Sequence, residues 1–140
     1  MSTVLRAYGA DFDVDTFLAG CTLSVCAVMR RGEPVFPTSQ SVLRRHERSG
    51  IHVIASCAEF SDFSRQVDEA MQFLRVEADP LRRLCTFPGV EDITLDFGAE
   101  WRDVVVQCDH LPPELVRQAG LLGLGIELSH YPISGEEPDG

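Results

Sequence analysis

Lysine is absent from this sequence of 140 residues, and all twelve of its basic residues are arginines. We attribute this bias to the coding of a GC-rich bacterial genome rather than to chemistry. No apolar run approaches the roughly 18 residues that a membrane-spanning helix needs. The first residues also lack the basic start and long apolar stretch of a secretion signal. The sequence therefore predicts a cytoplasmic protein without a membrane partner.

Familiar catalytic and cofactor-binding motifs are also missing. The sequence has no glycine-rich phosphate loop, no G-x-S-x-G nucleophile turn and no H-E-x-x-H metal motif. Gly120, Gly123 and Gly125 are spaced as a helix terminator and a strand entry, which differs from a nucleotide-binding fingerprint. We therefore predict that the protein is not an enzyme and holds neither a cofactor nor a metal.

Positive charge is scarce, because the net charge is −10 and the isoelectric point lies near 4.7. A duplex nucleic-acid binder presents a basic stripe, so this balance excludes nucleic acid as the expected partner. A basic protein partner fits the charge, and so does solubility alone.

The five cysteines are odd in number, and no two of them have C-x-x-C spacing. Most have apolar neighbours, which predicts buried free thiols in a reducing compartment, with a single metal-binding or redox thiol as the alternative. They are Cys21, Cys26, Cys57, Cys85 and Cys108.

Hydrophobic periodicity predicts six strands and three main helices in one domain. The predicted strands are Thr3–Gly9, Leu23–Met29, Ile51–Ser56, Ile93–Phe97, Val104–Cys108 and Ile126–Tyr131. The first main helix is Val14–Ala19, with Asp13 as its cap. The second begins at Ser61 and has Asp62 in its first turn. The third runs from Pro112 to Leu122 and ends at Gly123. A short additional helix is indicated for Pro80–Cys85.

This order of elements predicts an α+β fold: a largely antiparallel sheet of about six strands, with three helices mainly on one face, built from ferredoxin-like β-α-β units. The other face of the sheet would be open to a partner or ligand. Residues 1–133 form the predicted domain, and residues 134–140 an acidic flexible tail. Residues 33–49 are expected to be a surface loop with a helical turn.

Two clusters of reactive side chains have simpler structural explanations. Asp11, Asp13 and Asp15 alternate as in a calcium loop, but the required glycine and distal glutamate are missing, and a helix cap explains the run. Cys108 and His110 could form a nucleophile pair, although a strand end followed by a turn explains them as well.

The strongest charge asymmetry is a group of arginines between positions 30 and 48. Arginine binds phosphate and carboxylate groups through its planar fork, so this segment could hold an anionic ligand or an acidic patch of a partner. The alternative is a solvated loop that pairs with the chain's own carboxylates. The candidate partner-binding or anion-binding residues are Arg30, Arg31, Arg44, Arg45, Arg48 and Trp101.

Trp101 is the only tryptophan, and it stands in a predicted turn. An exposed tryptophan would indicate a protein-binding hot spot. We expect instead a half-buried side chain that covers the edge of the sheet.

Several short motifs resemble a family of small bacterial α+β proteins that is known only as a domain of unknown function. They are segment 8–13 (Tyr-Gly-Ala-Asp-Phe-Asp), Phe17-Leu18, segment 31–33 (Arg-Gly-Glu), segment 111–115 (Leu-Pro-Pro-Glu-Leu) and segment 123–131 at the end. His52 stands near a position where such proteins often have tryptophan. The resemblance covers most of the chain and implies the α+β architecture, but no activity and no site.

Three functions are compatible with these features. The first is a non-enzymatic interaction module, such as an immunity-type protein that binds a basic bacterial toxin, as a monomer or homodimer. The second is a regulatory domain that binds an anionic metabolite through the arginine segment. The third is an enzyme that uses Cys108 and His110. The sequence favours the first.

Overall fold

The computed structural model describes residues 1–35 and 44–132. The strands are β1 (Thr3–Gly9), β2 (Val25–Met29), β3 (Ser49–Ser56), β4 (Asp92–Glu100) and β5 (Gly125–Tyr131). The helices are α1 (Val14–Leu18), α2 (Phe63–Val76), α3 (Ala78–Cys85) and α4 (Pro113–Leu122). Across the described residues, no helix combines the length and the apolarity that a membrane crossing requires. The predicted acidic tail, residues 134–140, lies outside the described residues.

The fold is α+β, as predicted, with one mixed sheet in the order β2-β3-β1-β4-β5. Neighbouring strands are antiparallel except for β4 and β5, which are parallel and are connected through α4. The prediction of about six strands is wrong for the described chain, which has five, because Val104–Cys108 forms no strand. The described residues form four helices: the three main helices and the short helix indicated for Pro80–Cys85, which is α3.

Local chemistry explains where the helices begin and end. The Asp13 side chain accepts a hydrogen bond from the Thr16 amide, so it caps α1 as predicted. Helix α2 is capped by Asp62, whose carboxylate accepts from the Arg65 amide, which corrects the prediction of Ser61 as the cap. Helix α4 ends at Gly123, which has a left-handed conformation with φ of 77°.

The hydrophobic core lies between the helices and one face of the sheet. Along β1, alternate residues are buried, with Leu5 and Ala7 fully inaccessible to solvent. Leu95 and Phe97 of β4 extend the same face, and the buried residues of the helices belong to the same cluster. The opposite face of β1, β3 and β4 is therefore the open face, and its side chains are half-buried.

Gln66 is a fully buried polar residue within the apolar stripe of α2. Its side-chain amide donates to the carbonyl of Gly98 at 2.7 Å and to that of Glu59 at 3.3 Å. Its carbonyl oxygen accepts from the Thr3 hydroxyl at 3.0 Å. Hydrogen bonds of this one side chain thus connect α2 to β1, to β4 and to the segment that precedes α2.

The connection between β2 and β3 continues as a short two-stranded ladder beyond the sheet. The Gly32 amide donates to the His46 carbonyl, and the His46 amide donates to the Glu33 carbonyl, both at 2.9 Å. The Val35 amide donates to the Arg44 carbonyl at 3.0 Å. The described part of the predicted loop is therefore extended rather than helical; its remainder, residues 36–43, lies outside the described residues.

Candidate functional site

The centre of the open face carries a network of polar side chains that the sequence analysis did not identify. Its central member is Arg6, which lies opposite His52 of β3 and Thr94 of β4. The Arg6 guanidinium contacts the carboxylates of Asp96, at 3.4 Å, and Glu127. The pattern of β1 contained a signal for this network, because Arg6 alternates with buried Leu5 and Ala7.

Tyr8 and His52 form a close pair on the same face. The Tyr8 hydroxyl and His52 Nε2 are 2.5 Å apart, and their rings meet edge to face. Burial lowers the pKa of the His52 imidazole, and the nearby Arg6 guanidinium lowers it further. Burial also raises the pKa of the Tyr8 hydroxyl. Both groups are therefore neutral at pH 7, with the Tyr8 hydroxyl as the donor and the imidazole as the acceptor.

Three of the predicted arginines come together where β1 ends. Arg44, Arg45 and Arg48 line a cavity of about 640 Å³ together with Tyr8. The Arg48 guanidinium lies over the Tyr8 ring, 5.3 Å from its centroid, and also contacts the Asp92 carboxylate at 3.3 Å. We call the group Tyr8, Arg44, Arg45 and Arg48 the cationic end.

Arg30 and Arg31 do not line that cavity. The Arg30 guanidinium donates two hydrogen bonds to Asp15, at 2.8 and 3.2 Å. Arg31 lies 3.8 Å from the Asp11 carboxylate. These two arginines therefore match the alternative in which the segment pairs with the chain's own carboxylates.

The aspartates of segment 11–15 have separate structural roles. Asp13 caps α1, while Asp11 and Asp15 face Arg31 and Arg30 respectively. In the described ranges, 1–35 and 44–132, no group of three or more His, Cys, Asp or Glu residues is arranged to hold a metal ion.

Exposed apolar side chains gather at the opposite end of the sheet, where β4 and β5 finish. Trp101 is 63% exposed and Val105 is fully exposed, so the expectation of a half-buried Trp101 is wrong. The Trp101 ring meets the ring of His130, on the edge strand β5, with centroids 5.9 Å apart. We call this group the apolar end; its members are Phe60, Trp101, Val104, Val105, Val106 and Tyr131.

Phe60 and Tyr131 join the apolar end from the open face of the sheet. Their rings meet edge to face with centroids 5.3 Å apart. Phe60 occupies the space above Gly98, where an added Cβ would lie 2.5 Å from the Phe60 ring. The Trp101 amide donates to the Tyr131 carbonyl at 2.7 Å, which fixes the start of the exposed segment beside β5.

Hydrogen bonds of Gln107 close segment 101–107 into a loop. The Gln107 side chain accepts from the Arg102 amide at 2.9 Å and donates to the Glu100 carbonyl at 3.1 Å. It also donates to the Asp109 carboxylate, which Arg102 contacts at 3.4 Å. These bonds explain why three consecutive valines form no strand: the loop projects them away from the sheet.

Cys108 and His110 line a second cavity, of about 400 Å³, beside the start of α2. Within the described chain no hydrogen bond joins these two side chains, and Gln107 and Arg102 hold the carboxylate of Asp109 between them. Asp109 is thus held by its own partners, and no hydrogen bond from it orients His110 toward Cys108 in the described chain.

All five cysteines are free, but the prediction that they are buried is wrong. Cys26, Cys57 and Cys108 are exposed, while Cys21 and Cys85 are half-buried. Burial raises the pKa of the Cys85 thiol to about 11.

No family model, curated protein or solved structure matches this chain. The resemblance to a family of unknown function therefore stays a prediction, and the candidate surfaces rest on their own geometry.

Proposed function

We propose that the protein is a non-enzymatic interaction module that binds a basic protein through its apolar end. The observation that carries this proposal is the exposure of Trp101 beside three exposed valines. Contiguous exposed apolar side chains are uncommon on monomeric proteins and mark contact surfaces. Tryptophan and tyrosine are the residue types enriched where such surfaces contribute most to affinity.

The rigidity of the apolar end supports the same function. A loop that becomes ordered only in a complex loses conformational entropy and weakens binding. Here the bonds of Gln107 fix the loop before any partner arrives. Burying a large apolar side chain contributes about 1.5–3 kcal/mol, and several such residues together offset part of the entropy lost on association.

Charge supports a basic partner. The protein carries a net charge of −10, and the exposed acidic residues Glu59, Asp62 and Asp103 surround the apolar end in the sequence. An apolar contact surface on a strongly acidic protein favours basic partners, and complementary charge increases the association rate. A basic bacterial toxin, neutralised by an immunity-type protein, is the partner class that we propose.

We infer that the frame presenting this surface is ferredoxin-like. The first four strands follow the order β2-β3-β1-β4 with helices between them, which is the arrangement of a β-α-β-β-α-β unit. Helix α4 and strand β5 extend this unit on one side. The apolar end lies in and around the segment that connects β4 to α4.

Site-specific cross-linking tests the proposed contact. A photoreactive residue at position 105, in cells that express the gene, is expected to capture one basic protein in stoichiometric yield. The matched control is position 76, because Val76 is 68% exposed on α2 but lies outside the apolar end. The purified partner should bind the wild type and Val76→Asp equally, and Val105→Asp at least tenfold more weakly. Equal binding of the two variants would refute the proposal.

A further inference from the structure

We propose that the cavity of the cationic end binds a small molecule that carries a phosphate group. This inference does not rest on the proposed protein contact, because the two sites occupy opposite ends of the sheet. Along β1, Thr3 and Tyr8 are five residues apart, which corresponds to about 17 Å of strand.

The cavity has the dimensions of a small-ligand site. Its volume of about 640 Å³ lies within the range of roughly 300–1,000 Å³ that is typical of such sites. The ladder that continues β2 and β3 lines the cavity through Val35 on one strand and Arg44 on the other. Tyr8, on the open face of the sheet, also lines it.

The arginines of the cavity differ in whether the protein already neutralises them. Arg48 is paired with Asp92 at 3.3 Å. Arg44 and Arg45 form no ion pair with any carboxylate in the described part of the chain. The Arg45 guanidinium donates to the Gly32 carbonyl at 2.7 Å, which positions the group without neutralising its charge. Two guanidinium charges are therefore available to a ligand.

This arrangement matches a phosphate monoester better than a single carboxylate. A phosphate monoester carries a charge of about −1.5 to −2 at pH 7 and three acceptor oxygens. Two guanidinium forks can bond to it at once, whereas a carboxylate offers only two oxygens. Glu47 also lines the cavity, and its negative charge opposes an anionic ligand. The site therefore contains arginines that attract an anion and a glutamate that repels it, and substitutions can remove the two kinds of group separately.

Tyr8 and Arg48 together provide the surface for the organic part of the ligand. The Tyr8 hydroxyl is engaged by His52 at 2.5 Å, so the ring is held in a fixed orientation. The Arg48 guanidinium lies over the ring, 5.3 Å from its centroid, and covers that face. An aryl phosphate can stack on this planar guanidinium while Arg44 and Arg45 bind its phosphate.

Titration with inorganic phosphate and phenyl phosphate tests the site. All twelve basic residues of the chain are arginines, so NMR signals of the arginine Nε–H groups report on each of these side chains. We expect saturable shifts of the Arg44 and Arg45 signals, with phenyl phosphate binding more tightly than inorganic phosphate. Citrate distinguishes phosphate recognition from binding of any multivalent anion, since a citrate affinity equal to that of phenyl phosphate would overturn the assignment of phosphate.

Charge-matched variants separate local binding from net charge. Arg44→Ala with Arg45→Ala is compared with Arg65→Ala with Arg117→Ala, which removes the same two charges from exposed helical positions. A hydrogen bond to a charged group is worth about tenfold or more in affinity. The first variant should therefore bind phenyl phosphate at least tenfold more weakly than the second, and Glu47→Gln should bind it more tightly than the wild type.

The outcomes are decisive in both directions once circular dichroism shows that each variant is folded. Weaker binding by the Arg44 and Arg45 variant, with tighter binding by Glu47→Gln, supports the site. No shifts in the wild type at 20 mM probe, or equal affinities of the two double variants, would eliminate it. Neither result changes the cross-linking expected at position 105, so failure of the phosphate site and failure of the proposed protein contact can be told apart.

Discussion

The apolar end and the cationic end are both exposed, but they are held in different ways. At the apolar end, the uncharged side-chain amides of Gln66 and Gln107 donate to the carbonyls of Gly98 and Glu100, in the part of β4 from which the hydrophobic loop continues. At the cationic end, arginines are held by carboxylates, as Arg48 is by Asp92, or by a carbonyl, as Arg45 is by Gly32. The glutamine hydrogen bonds at the apolar end are short-ranged and partly buried, whereas the arginine contacts at the cationic end lie largely in solvent.

This difference indicates what each end can give to a ligand. Exposed charges are already well solvated, so at the cationic end an anion gains most from Arg44 and Arg45, which have no carboxylate partner among the described residues. Exposed apolar groups gain from any burial, because water does not satisfy them. The apolar end therefore suits a large partner surface, and the cationic end suits a small anion.

Loss of the Gln66 amide should produce the largest effect and should act on the apolar end. Gln66→Leu leaves the Gly98 carbonyl and the Thr3 hydroxyl buried without their partner, which should lower the free energy of unfolding by about 1–3 kcal/mol. Chemical denaturation measures this change. The control is Gln72→Leu on the exposed face of α2, for which a change within about 0.5 kcal/mol is expected. Similar losses in both variants would contradict the anchoring role.

Acid should destabilise the open face between the two ends through His52. The pKa of His52 in the folded protein lies below its ordinary value of 6.5, mainly because the imidazole is buried. As the pH falls below about 6.5, the unfolded chain binds a proton before the folded chain does, so the free energy of unfolding decreases. His52→Gln should remove this decrease in denaturation measured from pH 7.5 to 5. An unchanged pH profile would show that His52 does not cause it.

The ion pair of the cationic end should contribute least to stability. Arg48 and Asp92 are 3.3 Å apart, with 42% and 62% of their side chains exposed. Exposed pairs of this kind are typically worth about 0.2–1 kcal/mol. A double-mutant cycle of Arg48→Ala and Asp92→Ala, followed by urea denaturation, should give a coupling energy within that range. A coupling energy well above that range would approach the loss expected for Gln66→Leu. The ion pair would then hold the cationic end about as strongly as the amide hydrogen bonds hold the apolar end.

The sequence predicted the local features of the fold well. The Asp13 cap, the start of α4 and its end at Gly123 depend on neighbouring residues alone, and the structure has all three. Val104–Cys108 has strong strand propensity, but a strand needs a partner, and the bonds of Gln107 direct this segment into solvent.

The candidate sites were predictable only in part, because charge pairing between distant segments decides them. Segment 30–48 looked uniform in the sequence, yet Asp11 and Asp15 bind Arg31 and Arg30 and leave Arg44 and Arg45 without carboxylate partners in the described chain. The exposure of Trp101 depends on how its loop closes, which local propensity does not encode.

The central place of β1 in the sheet affects how the chain can be made. A ribosome releases Thr3–Gly9 long before the two strands that flank it, which begin at Ser49 and Asp92. A nascent chain that ends before Asp92 has one side of its central strand unpaired, and unpaired strand edges promote aggregation. Pairing between distant segments also slows folding. The pairings of β4 with β1 and β5 must therefore form after translation has passed β4, and translation that stops before β4 should yield chains prone to aggregation.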